Sequence, residues 1–200
     1  PSMMDILSKN YNNRNGAVSL YEIGNEYIPV EGELLPDEVP NLVLGMYGDD
    51  KDFFTLKGVV ENLLDTLAIR EYDVDAKSDD PTFHPGRCAV LSKDGEEFGI
   101  IGEVHPLVCA NYGINTRVYV GKLKLRKLFA MMDTQRSYVP MPKFPASTRD
   151  IAVLVDDAVP AASMQATVEK AAGKLLESVK LFDVYRGAQI GEGQKSVSFA

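Results

Sequence analysis

Apolar positions divide the chain into alternating helical and extended stretches. Met3, Ile6 and Leu7 recur at helical spacing within residues 2–12, and the Asn-rich NNRNG that follows ends the helix. AVSLYEI, residues 17–23, predicts a strand. Gly32, Pro36 and Pro40 punctuate an acidic loop, after which LVLGMY, residues 42–47, predicts a buried strand closed by the turn GDDKD. The strongest periodicity lies at 53–68, where Leu56, Val60, Leu63, Leu64 and Leu67 build one wide apolar stripe. A helix with such a stripe has to bury it against a sheet.

Short extended runs follow at 70–76 (REYDVDA), RCAVLS and EFGIIGEV, the last two joined through Lys93-Asp94-Gly95, a tight-hairpin signal. Pro106 and Gly113 frame a short helix over LVCANY, because proline suits the first helical position and glycine the residue past the end. The strand TRVYVGKL and the helix LRKLFAMMD close this part. Residues 131–146 carry three prolines and no periodicity, which predicts a linker. Beyond it come a strand at 149–155, a helix opened by Pro160 with Met164, Val168, Ala171 and Leu175 on one side, a strand at 179–187, and the start of another after GAQIGEGQ. That β-α-β-β order is most of a βαββαβ ferredoxin-like unit.

In the strand VKLFDVYRG, strict alternation puts Val179, Leu181 and Tyr185 on one face and Lys180, Phe182, Val184 and Arg186 on the other. An aromatic ring between two cations fits a platform for single-stranded nucleic acid, by base stacking and phosphate neutralisation. Cations solvated on an ordinary sheet surface fit the same pattern.

Composition is that of a globular chain: 200 residues, 45% hydrophobic and 25% charged. The net charge of −8 opposes nonspecific polyanion binding by the whole surface, but the charge is unevenly placed. Residues 1–139 hold 14 Lys+Arg against 22 Asp+Glu, residues 140–200 seven against seven, and 117–136 six cations against Asp133 alone. No run of 18 apolar residues and no signal-peptide pattern is present, so a soluble cytoplasmic protein without membrane contact is expected. The start at Pro1 and the stop at Ala200 inside an alternating run read as a piece of a longer protein.

His84 with Cys88 and His105 with Cys109 form two H-x₃-C pairs, which could supply four zinc ligands. Each histidine precedes a proline, and Cys109 sits in an apolar helix where a small hydrophobe belongs, so no metal is expected. No P-loop, GxSxG or dinucleotide glycine pattern occurs, and the carboxylate pairs Asp49-Asp50, Asp79-Asp80, Glu96-Glu97 and Asp156-Asp157 lie in turn-like contexts. No catalytic residue is expected.

YEIGNEY (21–27), DFFTLKGVVENLL (52–64), HPGR (84–87), GIIGEVHP (99–106), KFPASTRDIAVLVDD (143–157) and LLESVKLFDVYRG (175–187) together resemble the carboxy-terminal region of the bacterial phenylalanyl-tRNA synthetase β subunit. The resemblance implies an α+β chain: a class II synthetase-like antiparallel sheet with helices over 1–130, a linker over 131–146, and an incomplete ferredoxin-like βαββ(αβ) anticodon-binding domain over 147–200. It implies a noncatalytic part of a ligase that attaches phenylalanine to tRNA(Phe). The partners implied are the α subunit, in an (αβ)2 tetramer, and tRNA(Phe). ATP and magnesium are implied for the holoenzyme and no cofactor for this segment.

In the third class II motif, GxGxxR, glycines admit ATP and the arginine meets phosphate. Here the segment reads GKLKLR: Gly121 fits the first glycine, but Leu123 stands at the second and Leu125 precedes Arg126, which predicts an inactive copy. The helix at 53–68 and the segment 2–12 are candidates for packing near the α subunit; ordinary core packing is the alternative for both, and the one the 53–68 stripe favours. For tRNA, side-chain chemistry selects Arg149, Lys180, Phe182, Arg186 and Lys195. The competing function is a freestanding ferredoxin-like RNA-binding module with an unrelated partner domain.

Overall fold

The computed structural model describes residues 1–77, 79–133, 138, 140–141, 143–187 and 189–200. The chain divides into two compact units, Pro1–Ser137 and Tyr138–Ala200. Much of the linker expected at 131–146 (134–137, 139 and 142) lies outside the described residues.

The first unit is a six-stranded antiparallel sheet in the order β1-β2-β6-β5-β4-β3. Its strands are β1 (Val18–Ile28), β2 (Asp37–Tyr47), β3 (Asp73–Ala76), β4 (Phe83–Lys93), β5 (Glu96–Val104) and β6 (Val118–Lys124). Asp94 and Gly95 both take positive φ, so the β4–β5 hairpin closes as its dipeptide predicts. The hairpin of β1 and β2 is longer than the sequence reading. Pro40 lies inside β2, one residue beyond the end of β6, where a missing N–H costs no bond to that neighbour.

Both faces are covered. On one side, helix α2 (Phe53–Thr66) places Leu56, Val60 and Leu64 against Leu42, Leu44, Ile101 and Leu123, all buried. Asp52 caps this helix in a reciprocal bond with Thr55, and the two Thr55 donations hold the Asp52 carboxyl below its ordinary range. Helix α4 (Leu125–Met131) adds Leu125 and Leu128 to the same cluster. On the other side, α1 (Ser2–Asn12) lays Met3, Met4 and Leu7 over Tyr47 and Val118, beside α3 (Pro106–Asn111). Gly45 permits that approach, since a Cβ there would stand 2.6 Å from the Met3 sulfur.

The second unit is a three-stranded antiparallel sheet in the order β7-β9-β8, from β7 (Ile151–Asp156), β8 (Leu181–Tyr185) and β9 (Gln194–Phe199). Helix α5 (Ala161–Ala172) follows β7, giving the expected β-α-β-β order. It shelters Ala161, Met164, Gln165 and Val168 on one side and buries none of its residues.

Candidate functional site

The segment resembling the third synthetase motif is tightly engaged. Gly121 and Leu123 pair across the sheet with Leu44 and Leu42, so both look toward α2, and Leu123 is fully buried in that core. The leucine at the second glycine position fills helix-side core. Arg126 Nη1 binds both Asp37 carboxylate oxygens at 3.1 and 3.3 Å, and its Nη2 donates to Glu38 O at 2.5 Å. That guanidinium serves as a strut between α4 and β2.

The opposite face holds a cavity of about 310 Å³ lined by Met3, Met4, Glu22, Glu26, Asn41 and Lys122, among others. Lys122 Nζ donates to both Glu26 oxygens at 2.7 Å, and Asn41 Nδ2 reaches one of them at 3.3 Å. The Lys122 hydrogen bond, foremost, pulls the Glu26 carboxyl below its ordinary range. With two carboxylates against one paired ammonium, this is poor ground for a polyphosphate.

The two histidine–cysteine pairs serve local structure. His105 Nδ1 accepts the Leu107 N–H at 3.2 Å and caps α3, while His84 Nδ1 lies 2.7 Å from its neighbour's carbonyl, Pro85 O. Both cysteines are buried free thiols, and desolvation pushes Cys88 up to about 11. The stripe at 53–68 turns into the core as its periodicity predicts, and segment 2–12, a candidate for packing near a partner, also turns Met3, Met4 and Leu7 into a core of its own unit.

In the second unit, register decides which side chains share a face. Ile151, Val153 and Val155 pair with Phe199, Val197 and Lys195, and Leu181 and Val184 join Phe199 and Val197 from the other side. Val168 of α5 borders the same cavity as Ile151 and Phe199, so the helix lies over this apolar face. A β-bulge falls between Leu181 and Asp183. The extra residue, Phe182, breaks the alternation assumed from sequence: Val184 joins Leu181 on the helix side, and Tyr185 passes with Asp183 to the open face beside Ser196 and Ser198. Tyr185 was missed as an aromatic on the open face because a bulge leaves no signal in a period-2 pattern.

The five residues selected for tRNA fall at two ends of this sheet. Arg149 precedes β7 and donates to Thr148 O at 2.8 Å, while exposed Lys180 exchanges backbone bonds with Ala200; Phe182, 55% exposed, follows it. At the other end, Arg186 Nε binds Asp157 Oδ1 at 2.8 Å, and Lys195 Nζ donates to Asp157 O at 2.7 Å. Lys195 is 8% exposed, its ammonium closing the turn after β7, whereas the other four selected residues are exposed. The open face itself carries Leu154, Tyr185 and small polar residues with Asp156 and Asp183, so the cations form a rim.

An antiparallel sheet roofed by helices is a fold found in solved aminoacyl-tRNA synthetases. Two solved structures of pyrrolysyl-tRNA synthetase from Desulfitobacterium hafniense share the fold at 16% identity. One has a TM-score of 0.53 over 70% of this chain and 53% of that chain; the other has 0.52 over 64% and 45%. The family model "Phenylalanyl tRNA synthetase beta chain CLM domain" matches residues 1–125, and "Ferredoxin-fold anticodon binding domain" matches 142–200. The chain belongs to the phenylalanyl-tRNA synthetase beta chain family. Among its relatives, the phenylalanine–tRNA ligase beta subunits of Clostridium tetani and Clostridium acetobutylicum are 46% and 44% identical over all of this chain and 25% of their own length. That of Bacillus subtilis is 36% identical over all of this chain and 26% of its length. The chain thus spans about a quarter of the curated relatives it matches.

Proposed function

We propose that this chain is a noncatalytic region of a phenylalanine–tRNA ligase β subunit, serving assembly with the α subunit and recognition of the tRNA(Phe) anticodon. The observation that carries the reading is the run of two family matches, 1–125 and then 142–200, over a fold whose synthetase-like motif is consumed by core packing. On this reading the first unit contributes structure. ATP, magnesium and phenylalanine are handled by the α subunit in a cytoplasmic (αβ)2 enzyme, and Arg126 and Lys122 are each paired with a carboxylate.

The second unit would meet the anticodon arm through its rim cations Arg149, Lys180 and Arg186, with Phe182 and Tyr185 as stacking surfaces and Lys195 supporting the turn beneath. Arginine and lysine suit phosphates and aromatic rings suit unstacked bases, which is how proteins read RNA loops. Reconstitution tests the proposal. The full-length β subunit co-expressed with the α subunit should copurify and charge tRNA(Phe), and deletion of residues 142–200 should weaken tRNA binding while leaving the subunits together. Undiminished tRNA binding after that deletion overturns the anticodon role.

A further inference from the structure

Strand β6 pairs only with residues 41–47 of β2, although β1 and β2 pair over eleven residues each. Residues 25–28 and 37–40 therefore leave the sheet as a two-stranded ribbon closed by residues 29–36. Such a ribbon is marginal by itself in water, and here two charged struts tie it back: Lys122 to Glu26 and Arg126 to Asp37. Along the side of β1 continuous with the α2 face stand Tyr21, Ile23 and Tyr27, exposed at 74, 63 and 63%. Leu34 and Leu35 in the closing segment add apolar side chains near the tip, where Leu34 is 97% exposed. So many large apolar side chains exposed on one ribbon mark an interface more often than free solvent.

Charge states what kind. Between Asn15 and Asp50 the sequence has no lysine or arginine and eight carboxylates: Glu22, Glu26, Glu31, Glu33, Asp37, Glu38, Asp49 and Asp50. Lys122 and Arg126 offset Glu26 and Asp37, which leaves Glu22, Glu31, Glu33 and Glu38 as a net acidic field along the ribbon and its closing segment. That field repels RNA and anionic lipid, and a symmetric contact with a second copy would set acids against acids. We propose that the β1–β2 ribbon is a docking arm for a protein whose apolar groove is rimmed by lysine and arginine. The name of that partner, the α subunit, rests on the function proposed above.

The test uses the full-length β subunit with the α subunit. Ile23→Ser with Tyr27→Ser, and separately Glu31→Lys with Glu33→Lys, should each weaken the α–β association at least tenfold. Phe129→Ser, exposed but on α4, should not, and the melting temperature of β alone should stay within a few degrees in all three. Wild-type association should also weaken as salt rises. Wild-type association left intact by both ribbon variants overturns the docking arm alone, whereas failure of wild-type β to bind α overturns the proposed function and the arm's partner with it. Self-association of β lost in the ribbon variants would show the occupant to be a second copy and overturn the heterologous assignment.

Discussion

In residues 1–137 helices roof both faces of the sheet, and each face has its own buried cluster. In residues 138–200 one face lies under a single helix that buries nothing and the other is open; Val197 and Phe199 are the fully packed hydrophobics among the described residues there. A buried Leu, Val or Phe contributes about 1.5–3 kcal/mol by leaving water, so cohesion is concentrated in the first unit. The difference is mechanical: a doubly covered sheet suits a rigid body, while a thinly packed sheet with an open face has surface to give to a ligand.

The largest expected effect follows from that asymmetry. Leu56→Ala removes a side chain with no exposure from the helix-side cluster and should cost about 2–5 kcal/mol, in the range of buried leucine truncations. In denaturant the loss should fall on the transition of residues 1–137. Amide exchange should show β6 and β5 slowing more than β9 in the wild type, with the mutation erasing that order. Equal protection of β9 and β6 in the unmutated protein would break the comparison.

The element order of both units was readable in the sequence because the apolar stripe of Leu56, Val60, Leu63 and Leu64, the Asp94-Gly95 turn and Pro106 each act locally. What escaped reading depends on partners. Pro40 looked like a loop residue because proline costs a ladder bond, a cost that vanishes where β2 has outrun β6. The faces of β8 were exchanged after Phe182 because register is set against β9, and a bulge there obeys the neighbour's pattern. The side-chain chemistry that selected Lys195 carried no information on depth, and its ammonium turned out to lie beneath the turn at Asp157. The exposed ribbon went unseen because Tyr21 and Ile23 alternate exactly as a half-buried strand would.

Lys195 offers the next test of the contrast between units. Its hydrogen bond to Asp157 O is charge-assisted and buried, so Lys195→Ala should destabilise residues 138–200 by about 1.5–3 kcal/mol. Arg149→Ala and Lys180→Ala remove exposed cations and should leave melting nearly unchanged. If those two contact phosphate in the assembled enzyme, each should flatten the salt dependence of tRNA binding by roughly one unit of slope. A stability loss for Lys195→Ala with the slope intact would divide supporting from contacting residues. The reverse outcome would return Lys195 to the RNA surface.

The smallest effect concerns the strut between Glu26 and Lys122. Because hydrogen bonding to Lys122 holds the folded Glu26 carboxyl below its ordinary range, the pair stabilises the fold fully above the unfolded carboxylate range. That contribution disappears as pH falls through the lower folded value. The Lys122 and Glu26 side chains are 36% and 50% exposed, so solvent screening keeps the contribution to about 0–1 kcal/mol. Lys122→Met, which keeps the apolar stem and removes the ammonium, should therefore lower the melting temperature of residues 1–137 slightly at pH 7, and the difference should shrink as acid protonates the Glu26 carboxyl. A difference that stays constant as pH falls through the whole carboxylate range would mean that the lysine stem, which lines the cavity with Val43 and Val120, holds the ribbon to the sheet in place of the charge.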